Sequence, residues 1–155
     1  MPKRRPWLHA APTLLLAWLA ASVWGSVVQT QFNLQALAEL GVAIPANVRA
    51  RTTLQDLASF APLYAGIVAA AWLPALALAA WLARGRPAWR LGLFAAAGGL
   101  GLVAALRSID ALAPMPTFID ATRHAPGLLA MALGCVLAAG WYAHRTAAVP
   151  AGARR

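Results

Sequence analysis

Four stretches of the chain contain no Asp, Glu, Lys or Arg: Trp7 to Val28, Pro62 to Ala83, Leu91 to Leu106 and Gly127 to Ala143. A bilayer core of about 30 Å is crossed by roughly 20 helical residues, so the first two runs are full length and the last two are short. All four are too long and too uniformly apolar for strands or for the amphipathic helices of a soluble domain. The runs predict an all-α integral membrane protein, a four-transmembrane-helix bundle made of two helical hairpins. Its helices are expected over about 7–29, 61–83, 89–109 and 126–144 of a single membrane domain, 1–155. Outer loops are expected at 30–60 and 110–125, a cytoplasmic turn at 84–88, and a flexible tail at 146–155.

Composition excludes the obvious competitor. With 61% hydrophobic and 11% charged residues, the chain lies far from a soluble domain, in which about a quarter of residues are charged. A net charge of +9 would in a soluble protein point to nucleic acid, but its distribution points to a membrane and to no nucleic-acid partner. Lys3, Arg4 and Arg5 precede the first run, Arg84, Arg86 and Arg90 lie between the second and third, and Arg145, Arg154 and Arg155 follow the fourth; no acid accompanies them. In the other two loops Arg49, Arg51, Arg107 and Arg123 are balanced by Glu39, Asp56, Asp110 and Asp120. By the positive-inside rule both termini and the turn at 84–88 face the cytoplasm, and the neutral loops lie outside. Basic residues that are Arg at every position except Lys3, together with abundant Ala, suggest a GC-rich bacterial genome and so a multi-pass protein of the bacterial inner membrane. A cleaved secretory signal ending before Val23 would leave three spans; continuation of the first run through Trp24 to Val28 favours a retained helix.

Trp7, Trp81, Trp89, Trp141 and Tyr142 fall near the arginine-rich boundary and read as an interfacial belt. Pro6, Pro12, Pro62 and Pro126 are expected in or near first turns, where a missing N–H costs little, and Pro74 inside the second helix. Small residues mark close backbone approach in lipid: Gly92, Gly98, Gly99 and Gly101 in the third helix, and Ala130, Gly134 and Ala138 in the fourth. These Gly/Ala faces are expected to pack the bundle, and through them a membrane-protein partner or a homo-oligomer contact stays open. Ser22, Ser26 and Gln29 share a face of the first helix. The lone Cys135 reads as a small buried hydrophobe.

The outer loops contain a matched pair, TLQDLASFAP from Thr53 and TFIDATRHAP from Thr117, both following T-x-x-D-x-x-x-x-A-P. Thr53 and Thr117 are expected to cap short interfacial helices, with Asp56 and Asp120 at the third position. Convergence on good capping and duplication of a hairpin both account for the match. NLQALAEL, from Asn33 to Leu40, predicts a further short helix with Asn33 as cap and Gly41 as stop.

Arg49, Arg51, Asp56, Arg107, Asp110, Asp120, Arg123 and His124 collect on one membrane face as a candidate anion or lipid site. Arg107, ending a short span, and His124 exceed what capping requires. No nucleophile elbow, phosphate loop or metal-ligand spacing occurs, so no catalytic residue, cofactor or metal is assigned. His9 and His144 read as boundary residues. No run has a central titratable group, as a proton-coupled carrier requires. The leading expectation is a non-catalytic accessory, assembly or partner-binding subunit of the bilayer. The alternatives are a lipid or small-solute transporter or flippase, and a lipid-handling enzyme using the outer Arg/Asp/His set.

Overall fold

A computed structural model describes residues 7–112, 119–123 and 125–147, excepting the side chains of residues 7, 8 and 120. It is all-helical among these residues, with four helices: α1 Trp7–Glu39, α2 Ala46–Arg84, α3 Arg90–Leu112 and α4 Ala125–Arg145. Each is long and apolar enough to cross a membrane. Packing runs α1 on α2, α2 on α3, α3 on α4, and α4 back on α1, which closes the bundle. Pro87–Trp89 forms a 3-10 turn before α3, and Asp120–Arg123 forms another before α4. The described residues thereby give two antiparallel hairpins.

The first two helices run well beyond the expected spans. No glycine or proline interrupts residues 26–40, so Asn33–Leu40 is not a separate interfacial helix but the end of α1 and its first turn residue. Asn33 accepts a hydrogen bond from Gln29 Nε2 at 3.4 Å instead of capping anything. The chain leaves α1 through Gly41 at φ +85°. Gly41 N–H donates to Ala38 O at 3.0 Å and Val42 N–H to Leu37 O at 3.2 Å, the paired bonds of a Schellman ending. The glycine therefore acts as the expected stop.

Thr53 likewise caps no helix. α2 begins at Ala46, after an extended Pro45, and carries Thr53, Asp56 and Pro62 in its interior. Alanine, leucine, arginine and glutamine favour the helix here, and Thr53 Oγ1 donates back to Arg49 O at 2.8 Å. Pro62 removes one backbone bond without ending the helix, and α1 packs against α2. Thr117 lies outside the described residues. The two matched loops therefore differ in backbone: the first copy is α-helical throughout, whereas the second includes a 3-10 turn.

Close packing follows the small residues. A Cβ on Gly98 of α3 would stand 2.6 Å from both Cys135 O and the Ala139 Cβ of α4, and one on Gly134 would enter the Trp24 ring at 2.1 Å. These glycines are consumed inside the bundle, whereas Gly92 faces open space. Ser22, Ser26 and Gln29 are all buried, as their shared face implies, and so is Cys135. Gly98→Val should lower stability in detergent by about 1–3 kcal/mol, the range for overpacking. Gly92→Ala should leave it unchanged or raise it by up to about 1 kcal/mol. Thermal unfolding of the two variants checks the pair; equal effects would contradict the packing described.

Candidate functional site

Overreach of the first hairpin shapes the outer face. Trp72 Nε1 donates to Gly98 O at 3.3 Å, a register that places Leu112, the end of α3, beside about residue 58 of α2. Some three turns of α2, roughly 18 Å, therefore project past α3. The last turns of α1 accompany them, since Trp24 Nε1 bonds Ala130 O near the start of α4 at 2.8 Å.

A column of side-chain bonds joins this projection along the α1–α2 seam. Thr30 Oγ1 lies 2.7 Å from Asp56 Oδ2 and 3.0 Å from Ser26 O. It has one proton, and the shorter distance to a carboxylate oxygen favours donation to Asp56. Arg49 Nη1 donates to Gln31 Oε1 at 2.7 Å, and Gln31 Nε2 donates to Thr53 Oγ1 at 3.0 Å. On the other flank Gln29 Oε1 accepts the buried Ala121 N–H at 3.0 Å, tying α1 to the 3-10 turn before α4. Gly127 is required beside this turn, because a Cβ there would stand 2.0 Å from Ala121 O.

Of the eight candidate residues, Arg49 and Asp56 are half-buried in the seam and engage α1, while Arg51 is exposed on α2 and Arg107 is exposed near the end of α3. Asp110 is half-buried, Arg123 is exposed, and both take part in interactions. His124 and the Asp120 side chain lie outside the described residues. Arg49 and Asp56 thus serve the same helix pair, and neither of the two main grooves includes any of the eight. Among the described residues, no group of three His, Cys, Asp or Glu is placed to hold a metal. His9 and His144 are exposed.

Sequence reasoning missed three tryptophans that bridge helices. Trp18 Nε1 donates to Ala65 O of α2 at 2.9 Å. With Trp24 bonded to α4 and Trp72 to α3, three indoles each bridge two helices. An indole N–H in an apolar span needs an acceptor, and that requirement was the available signal. Trp81, Trp89 and Trp141 are exposed, as belt residues are, while Tyr142 is half-buried.

The fold thus defines a class: a helical bundle with four candidate membrane spans. No known family model matches the chain, and no curated protein or solved structure is significantly similar to it.

Thr30→Val and Asp56→Ala should each destabilise the protein, and their double-mutant cycle should return a coupling of about 1–2 kcal/mol. Chemical unfolding in detergent measures it. A coupling near zero would mean that Asp56 does not hold the hairpin together.

Proposed function

We propose that this protein is a non-catalytic accessory or partner-binding subunit of the bacterial inner membrane, with both termini cytoplasmic and the α1–α2 projection engaging a partner outside the bilayer. The observation that carries this reading is the projection itself. It extends about three turns beyond the end of α3, is held by the Arg49–Gln31–Thr53 and Thr30–Asp56 bonds, and ends in exposed apolar side chains. Leu40 is 81% exposed and Leu54 68% exposed, with Leu37, Val42 and Val48 also open. In the bilayer core exposed leucines cost nothing, but on a segment that clears it they favour coverage by another surface. The nine basic residues at the opposite end, with no acid among them, support the cytoplasmic assignment of both termini.

Movement of a lipid or solute, or lipid-handling chemistry by the outer Arg/Asp/His set, draws less support. Arg49 and Asp56 are engaged in joining α1 to α2 instead of lining a shared cleft.

A photo-crosslinking residue at Leu54 should form a discrete adduct in the native membrane, whereas one at Leu133, exposed on α4, should not. Leu40→Glu should remove the Leu54 adduct while membrane abundance stays within about twofold. Reporter fusions after Arg145 and within Ala46–Arg51 should report opposite compartments. An adduct indifferent to Leu40→Glu, or a C-terminus outside, would overturn the reading.

A further inference from the structure

A groove of about 570 Å³ runs between α1 and α2 on the half of the bundle away from the projection. Leu15, Trp18, Trp72, Leu76, Phe94 and Tyr142 are among its lining residues, and every lining residue is apolar or aromatic. On α2 it extends from Ala69 to Ala80, or about 16 Å of helix. That matches one leaflet, half of a core about 30 Å thick. Leu73, at its rim, is 74% exposed, so the groove opens sideways, toward the acyl chains of a surrounding bilayer.

Beside its basic end, against the lining residue Phe94, stands Arg90. The guanidinium carbon sits 4.5 Å from the Phe94 ring centroid, and Nη2 donates to Thr146 Oγ1 at 2.8 Å. Thr146 Oγ1 in turn approaches Tyr142 O at 2.7 Å. Two groove residues, Phe94 and Tyr142, thus hold Arg90 in place. Its Nε is shielded from solvent and has no acceptor among the described residues. Arg84 and Arg145 end the neighbouring helices and Arg86 lies in the turn before α3, while all four acids of the sequence belong to the opposite end. A guanidinium partly removed from water, with the acids of the sequence at the opposite end, is an unbalanced charge, and a phosphate oxygen is a chemically suitable partner for its outer nitrogens.

From the leaflet-length apolar groove and the uncompensated arginine beside it, we infer that the bundle binds one anionic phospholipid, an acyl chain along α1–α2 and the phosphate at Arg90. This site is separate from the proposed docking projection and does not depend on it; it requires only that the bundle lie in a bilayer. A free phosphate ion has the same headgroup chemistry but leaves the groove unfilled.

The test is native mass spectrometry of the full chain in mild detergent, titrated with phosphatidylglycerol or phosphatidylcholine of identical acyl chains. Both lipids carry the phosphate, so the wild-type protein should retain both, and phosphatidylglycerol roughly tenfold more strongly because it lacks the choline cation that the basic end repels. Arg90→Gln should weaken retention of both lipids and reduce that preference, and Arg90→Lys should keep part of each. Arg86→Gln, at an exposed residue in the turn before α3, should leave retention and preference intact. Ala77→Trp, placed to fill the groove, should weaken retention of both lipids. Millimolar inorganic phosphate should neither displace the lipid nor raise the thermal midpoint. If Arg86→Gln acts as strongly as Arg90→Gln, the attraction is general surface charge and the site is wrong. Unchanged retention in Ala77→Trp, or displacement by phosphate, would also overturn it. Circular dichroism of each variant excludes misfolding; should Arg90→Gln fail to fold, the Arg90→Lys and Ala77→Trp results decide the matter.

Discussion

A hydrogen-bond donor placed in lipid has no water to fall back on, and the architecture of this bundle depends on that constraint. The helical backbone satisfies its own groups, which leaves the side-chain donors. Trp18, Trp24 and Trp72 meet the requirement by reaching carbonyls on neighbouring helices. Serine and threonine meet it locally, as when Ser22 Oγ donates to Trp18 O at 2.8 Å and Ser108 Oγ to Ala104 O at 2.8 Å. Each indole bond fixes helix register as well as satisfying a donor, because an N–H of fixed direction reaches one carbonyl on a curved surface. Among the described residues, Ser26 Oγ departs from the pattern: it is buried without a partner, at a cost of about 1–3 kcal/mol. Tyr64 Oη is also buried, beside the Cys135 thiol.

Dispersion and close approach supply the remaining cohesion, since apolar side chains gain nothing from leaving lipid for one another. Gly98 brings the α3 backbone against α4, and Gly25 receives the Tyr64 ring, which stacks on Phe60 at 5.8 Å between centroids. Glycine serves at these positions because the space that a methyl group would need is already filled. The same reasoning explains why large leucines such as Leu73, Leu100 and Leu129 can remain on the outside: facing lipid, they pay no penalty.

The two ends of the molecule solve different physical problems. Toward the basic end the helices carry arginine, tryptophan and tyrosine, suited to a headgroup region. Toward the other end α1 and α2 continue together, and their seam changes from apolar contacts to amide, hydroxyl, carboxylate and guanidinium contacts. Where such groups clear a bilayer, water competes for them, and pairing them across the seam helps to keep two long helices together. Arg49 and Asp56 are engaged in this way.

Sequence alone determined the helical class, the four apolar spans, the charge asymmetry and the Gly41 stop, because these depend on composition, run length and local backbone chemistry. It also put Ser22, Ser26 and Gln29 on one face, since helical spacing is a local property. It did not determine where α1 ends or α2 begins. Asn33, Thr53 and Pro62 carry ordinary boundary signals, and those signals were overridden by packing between segments that are adjacent in space and distant in order. The partners of Arg49 and Asp56 were illegible for the same reason: Gln31 and Thr30 become neighbours only when α1 and α2 run antiparallel in one register. Nor could the sequence join the Arg90–Phe94 pair of α3 to Tyr142 and Thr146 at the end of α4. The two helices are joined by a long connection, and only the tertiary structure brings their ends together beside an apolar groove.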